Sequence, residues 1–205
     1  MIQNEKDARE YVASLCDGVA MDRLDRLAAN LATENQRQNL IAQSSLANIW
    51  QRHIADSAQL LRFVPRGTFP WLDLGSGAGF PGVVVAIIQS DGPIFLVETR
   101  ARRVQWLQSQ KESLRLSHCI VIGKRVENTD TFKASVVTAR AFAPLPKLLK
   151  MSKRFTRQDT VYVLPKGRSA NAELAALPDH QREMFHVEQS LTDGDAGIIV
   201  GTGLP

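Results

Sequence analysis

The stretch Trp71–Gly82, "WLDLGSGAGFPG", places four glycines, an aspartate and a proline in one short turn. Gly75, Gly77 and Gly79 permit positive φ and leave the backbone bare, and Pro81 suits a first helical turn, where its missing N–H costs nothing. In open α/β sheets ligands bind beyond the carboxyl ends of the strands, so this turn is the expected cofactor seat. Two cofactor classes fit it. From Gly77, "GAGFPG" satisfies GxGxxG, the dinucleotide fingerprint, with Glu98 ending the next strand about where a ribose-binding acid belongs. From Asp73, the same residues read D-x-G-x-G-x-G, an S-adenosylmethionine (SAM) arrangement with an acid at the end of the strand. The acid separates the two. A carboxylate there is expected to contact a cationic amino acid moiety, directly or through water, and repels a pyrophosphate; SAM carries an ammonium and a sulfonium and no phosphate. A tight turn with no ligand is the plain structural alternative. Glu98 is expected to accept from two ribose hydroxyls, or to pair with Arg100 or Arg102.

Other chemistry is absent by residue type. Cys16 and Cys119 lack CxxC spacing, and His53, His118, His180 and His186 show no ligand pairing, so no metal is expected. Cys119 opens a strand and reads as core. The segment "TARAFAPL" lacks the Asn/Asp-Pro-Pro-aromatic motif used on exocyclic amines, and no Pro-Cys pair supplies a nucleophile.

The elements that would hold such a turn follow from periodicity. In "SLANIWQRHIADSAQLLRF", Leu46, Ile49, Trp50, His53, Ile54, Ser57, Leu60 and Leu61 recur at helical spacing, which predicts a helix capped by Ser44 or Ser45. His53 and Asp56 are three residues apart on that helix, and a buried His53–Asp56 pair is expected. "DRLDRLAANLA" repeats the helical pattern upstream. Beyond Pro65 and Gly67, short apolar runs alternate with helical segments: "FPWLDL", "IFLVE", "CIVIG", "SVVTA", "TVYVL", "EMFHVEQ" and "GIIVG" are the strands. This predicts an α/β doubly wound, mostly parallel sheet over residues 66–205, with an antiparallel C-terminal hairpin and a helical extension over 1–65.

Hydrophobic residues make up 44% and charged residues 22%, ordinary globular values. The N-terminus is charged and no apolar run is long enough to span a bilayer, so a cytoplasmic protein is expected, with no membrane partner. Nothing indicates an obligate partner, and a monomer is expected. Charge is uneven: Arg100 to Arg168 holds 16 Lys and Arg against 4 Asp and Glu, whereas the rest holds 9 against 17. Such a segment suits a polyanion, or is a solvated basic face.

"LDLGSGAGFPG" followed by "VETRARRVQWLQ", "RVEN", "TARAFAPL" and "LPKG", and preceded by "NL…RHIADS", resembles the bacterial small-subunit ribosomal RNA guanine-N7 methyltransferase family, RsmG/GidB, from about Asn39 to Gly167 by motif. The resemblance implies a class I SAM-dependent methyltransferase fold acting on one guanine of 16S ribosomal RNA. By motif position, Gly75 and Phe80 line the SAM site, Val126 and Glu127 face the adenine, and Arg140 reaches the methionine end or the target base. Arg52, Arg125 and Lys166 are implied RNA contacts. The tail "DAGIIVGTGLP" lacks the basic residues expected there. Guanine N7 keeps an in-plane lone pair and needs no general base; alignment is the remaining task, with Arg140 orienting the base through O6 or by stacking. Phe80 packs on cofactor or base, or is core; Lys166 meets a phosphate, or is a solvated lysine. The alternatives are an NAD-dependent oxidoreductase using the GxGxxG register and a non-enzymatic RNA-binding protein.

Overall fold

The computed structural model describes residues 1–205. Seven strands form one sheet: β1 Trp71–Leu74, β2 Ile94–Val97, β3 Cys119–Ile122, β4 Val136–Thr138, β5 Val161–Gly167, β6 Phe185–Gln189 and β7 Gly197–Thr202. Their order is β3-β2-β1-β4-β5-β7-β6, with β1 to β5 parallel and β7 antiparallel to both β5 and β6. The expected doubly wound sheet and its closing hairpin are therefore present. Every residue of β1 and β4 is buried, which explains why these strands are continuous apolar runs instead of alternating ones.

Alternation along the strands divides the core. Trp71, Ile94, Leu96 and Val136 face one apolar cluster; Leu72, Leu74, Val97 and Val137 face another. The second cluster is covered by α6 (Leu145–Ser152) and α7 (Ala170–Ala175), through Leu145, Leu148, Leu149 and Ala170. On the first lie α4 (Gly82–Ile88), α5 (Ala101–Ser113) and the N-terminal helices, sharing one cluster from Ile2 to Val200.

Helix α1 (Glu5–Ala13) is capped by Asn4, whose Oδ1 accepts from the Asp7 N–H at 2.9 Å. In α2 (Gly18–Glu34), Asp17 accepts from the Ala20 N–H at 2.8 Å, and Leu24, Leu27 and Leu31 are fully buried. Their spacing puts them on one stripe, and burying each contributes about 1.5–3 kcal/mol.

Residues 43–63 depart from the single helix that periodicity predicts. The segment winds as 3-10 turns over Gln43–Asn48, a wide π turn over Trp50–Ala55, one α turn, α3 (Asp56–Ala58), and 3-10 turns over Gln59–Phe63. Ser44 and Ser45 do not cap it: Ala42 precedes the first turn, and the Ser45 hydroxyl donates to the Ala42 carbonyl at 2.7 Å. Tertiary partners set the winding. Glu5 of α1 accepts from the Trp50 and Gln51 N–H groups at 3.0 and 2.8 Å, and the Arg9 guanidinium lies 4.2 Å over the Trp50 ring.

Strand order reverses between β1 and β4. Asp73 is in register with Thr138, so the turn after β1 and the segment after β4 emerge side by side, forming the crevice where doubly wound sheets bind ligands.

Candidate functional site

Asp73 sits under this crevice instead of at its rim, and has no exposed surface. Its Oδ1 accepts from Thr138 Oγ1 at 2.9 Å, and Oδ2 accepts from the Gly82 N–H at 3.2 Å. The expected direct contact with a cationic ligand group is therefore not available: strand alternation turns the side chain toward α4. Gly82 is what lets α4 come so close, since a Cβ there would fall 2.6 Å from Asp73 Oδ2 and collide with Leu96. Burial pushes the Asp73 carboxyl up to about 6, and bonds from Ser76, Thr138 and the Gly82 N–H draw it back.

The turn itself has the bare, left-handed backbone predicted, with φ of +70° at Gly75, +57° at Gly77 and +103° at Gly79. Glu98 closes over it. Its Oε2 accepts from the Gly77 N–H at 3.0 Å, and Oε1 accepts from the backbone N–H groups of Thr99 and Arg100 at 2.7 and 2.9 Å. No ion pair joins Glu98 to Arg100 or Arg102. A Cβ on Gly75 would lie 2.5 Å from Phe142 Cδ2, so the Phe142 ring packs directly on this glycine.

Arg140, just beyond β4, gathers the remaining residues. Its NH1 donates to Asp56 Oδ2 at 3.4 Å, its NH2 to His53 Nδ1 at 3.2 Å, and its guanidinium carbon lies 5.1 Å from the Phe80 ring centre. The expected His53–Asp56 pair is not formed, because the guanidinium inserts between them and binds both. Nδ1 of His53 thus accepts, and Nε2 carries the proton and donates to Ser45 Oγ at 2.8 Å. Phe80 is buried and stacks on His53, with ring centres 5.0 Å apart. Burial, with Arg140 and Arg52 nearby, holds the His53 pKa down to about 3 from 6.5. Below pH 6.5 the unfolded chain binds a proton that the folded chain refuses until about pH 3, so stability is lost as pH falls through that window. A His53→Asn variant should lose this term; denaturant titrations from pH 6.5 to 4 should show its stability falling less steeply than wild type, by up to ~1.4 kcal/mol per pH unit.

The remaining predicted positions are dispersed. Val126 is buried in the turn after β3, while Arg125 and Glu127 on either side of it are exposed. Arg52 faces Asp193 at 3.2 Å. Lys166, expected after a strand, lies within β5 with its side chain 6% exposed; Nζ bonds Glu173 Oε2 at 2.9 Å and the Ala143 carbonyl at 2.6 Å. Although burial opposes it, the Lys166 bond holds the Glu173 carboxyl below its ordinary range. Cys119 is buried as expected, its thiol pushed up to about 12 by burial.

Periodicity missed Gln59, Thr138 and Phe142. Gln59 had a signal, an amide on an otherwise apolar stretch; Thr138 and Phe142 had none, since their partners are Asp73 and Gly75 on another strand's turn. A cleft of about 710 Å³ is walled by Arg52, His53, Asp56, Arg140, Phe142 and Lys166 among others, and Phe142 separates it from the glycine turn.

The family model described as "rRNA small subunit methyltransferase G" (GidB) matches residues 20–194. The chain belongs to that family. A relative named ribosomal RNA small subunit methyltransferase G from Erythrobacter litoralis is 53% identical over 99% of this chain and 98% of its own. One of the same name from Rhizorhabdus wittichii is 42% identical, covering 98% and 94%. Solved structures at far lower identity share the fold: a SAM-dependent methyltransferase from Aquifex aeolicus (TM-score 0.58, 13% identity, 83% of this chain and 98% of that one) and a ribosomal protein L11 methylase from Lactobacillus delbrueckii (0.59, 10%, 74% and 79%). Family membership selects the D-x-G-x-G-x-G register over the dinucleotide one, and the cofactor is S-adenosylmethionine. The glycine turn and Glu98 fit that group: bare backbone for close approach, and one carboxylate beside it. No helix is long and apolar enough to cross a membrane.

Proposed function

We propose that this chain methylates N7 of a guanine in small-subunit (16S) ribosomal RNA, within the subunit or an assembly intermediate, as a cytoplasmic monomer. One observation carries the choice of atom. The titratable acceptors that line the cleft are all engaged: His53 uses both ring nitrogens, Asp56 accepts from Gln59, Thr192 and Arg140, Glu173 pairs with Lys166 and Asp193 with Arg52. The cleft therefore offers donors but no free proton acceptor, which suits an acceptor atom that attacks with its own lone pair. When bound, SAM would supply an electrophilic methyl on sulfur, which the N7 lone pair would take up as the carbon–sulfur bond breaks, with S-adenosylhomocysteine as the leaving product.

The chain's own residues bind and align. Gly75, Gly77 and Gly79 admit the cofactor against backbone, Glu98 takes the ribose hydroxyls, Val126 and Glu127 border the adenine, and Phe80 backs Arg140. Arg140 presents its fork to the guanine O6 beside N7. Holding the reacting atoms in line supplies up to ~7–11 kcal/mol, with no proton transfer required. Residues 1–65 act as an extension that builds one wall of the acceptor cleft. Incorporation of labelled methyl into small-subunit RNA from cells lacking the protein, with mapping of the modified nucleoside, tests the proposal; label on an exocyclic amine or on carbon would reject N7.

For the RNA path, Arg125 is exposed and makes no ion pair, as do Arg100 and Arg102, and the β2–β3 register sets their two loops side by side. Lys166 is committed to Glu173. Replacing Arg125 with Ala should reduce the slope of log affinity against log salt by about 0.7 for single-stranded contact. Replacing Lys166 with Ala should leave that slope unchanged and lower the thermal midpoint instead, at a cost of about 1 kcal/mol, since the Glu173 carboxylate left behind is partly exposed and keeps its bonds from Ser169 and the Leu145 N–H.

A further inference from the structure

The side of Asp56 that faces away from Arg140 belongs to a buried polar network whose other members, Gln59, Ser190 and Thr192, lie outside the family motifs above. Gln59 is fully buried, a position where an unpartnered amide would be costly. Its Nε2 donates to Asp56 Oδ1 at 2.9 Å and to Ser190 Oγ at 3.1 Å, and its Oε1 accepts from the Leu191 N–H at 2.7 Å. Thr192 Oγ1 donates to the same Asp56 Oδ1, also at 2.9 Å. Ser190, Leu191 and Thr192 follow β6, whereas Asp56 and Gln59 sit on the N-terminal extension. One oxygen of Asp56 is thus pinned by two donors, Gln59 three residues on and Thr192 from the segment after β6, and the other is left for Arg140.

We infer that Asp56 is a positioning residue for the methyl-transfer step, aiming Arg140 and offsetting its charge, and that Gln59 and Thr192 hold Asp56 for that purpose. The inference rests on the proposed role of Arg140 toward the target base. Its physical basis is twofold. A guanidinium donating to Asp56 and His53 at once has its plane set, so its remaining donors point in a defined direction. Methyl transfer also moves positive charge from sulfur onto the guanine ring beside Arg140. The Asp56 carboxylate neutralises the guanidinium at that moment and lowers the repulsion between the two cations. Gln59 is satisfied on both ends, and a fully bonded network of this kind is rigid, whereas an apolar side chain of the same size would fill the space without fixing the carboxylate.

The test measures methyl transfer to small-subunit particles from cells lacking the protein, at saturating SAM and RNA, together with S-adenosylhomocysteine affinity and thermal midpoint. Asp56→Asn should lower kcat about 10- to 100-fold while cofactor affinity stays within about twofold. Thr192→Val, which is isosteric and removes one bond to Oδ1, should shift kcat in the same direction by less. In an Arg140→Ala background, Asp56→Asn should have no further effect on kcat, because its action passes through the guanidinium. If Asp56→Asn lowers kcat by the same factor with and without Arg140, or lowers only the thermal midpoint, the inference is overturned while the role of Arg140 stands. If Arg140→Ala alone retains wild-type kcat, the reading of Arg140 falls and takes this inference with it.

Discussion

Arg140→Ala should lower kcat about 10²- to 10³-fold, the usual loss when a preorganised donor is removed from a reacting group. The side chain has 23% of its surface exposed, toward the cleft, and the rest is held by Asp56, His53 and Phe80. Burial lowers its pKa against the opposing pull of Asp56, and a guanidinium still keeps its charge. Arg140→Lys should rescue little: an ammonium is a point charge and cannot bond Asp56 and His53 while presenting a flat edge to a base. Cofactor affinity, read by calorimetry with S-adenosylhomocysteine, should change by only a few fold, because the glycine turn and Glu98 lie on the other side of Phe142. A wild-type kcat in the alanine variant would remove Arg140 from the chemistry.

Asp73→Ala should both destabilise the protein and weaken the cofactor, through the turn's architecture instead of through direct contact. The carboxylate satisfies the Gly82 N–H at the start of α4 and the Thr138 hydroxyl on β4, and Thr138 in turn accepts from Trp71 Nε1 at 3.1 Å. Removing it leaves two buried donors without an acceptor, at about 1–3 kcal/mol each. For a chain of this length that corresponds to a thermal midpoint lower by roughly 2–4 °C per kcal/mol. Asp73→Asn keeps the volume but sets an amide NH₂ against a donor, so it should recover only part of the loss. Its pH signature runs opposite to that of His53. The folded Asp73 keeps its proton up to about pH 6 whereas the unfolded group releases it near 3.8, so its contribution is full below 3.8 and lost as pH rises through 6. The Asn variant should lack that loss, and its stability relative to wild type should rise across the same window. Equal weakening of SAM and S-adenosylhomocysteine would fit an architectural role; selective weakening of SAM would point to Asp73 acting on the sulfonium charge.

Local rules carried the strands, the hairpin at the end of the sheet, the glycine turn and its positive φ values, and the family. These depend on spacing within a few residues: short apolar runs between helical segments, and glycine where left-handed backbone is needed. They failed over residues 43–63, where helical spacing of the apolar residues is met by π and 3-10 winding, with the Trp50 and Gln51 N–H groups taken by the Glu5 carboxylate from another helix. Lys166 read as a phosphate ligand because its charge is visible in the sequence and its partner Glu173 is not identifiable as such. Asp73 read as a rim carboxylate because its place at the end of a strand is visible, whereas the face it points to depends on the neighbouring register with Thr138 and on how closely Gly82 brings α4.

By itself the sequence placed the cofactor seat in the turn after β1 and narrowed it to two cofactor classes, since both follow from residue type and local spacing; the family motifs, taken together, chose between them. Only the tertiary structure decided what each charged side chain does. Arg140 meets Asp56 across 84 residues and Thr192 meets Asp56 across 136, and pairings at such separations are set by strand order and helix docking, to which no local pattern is sensitive.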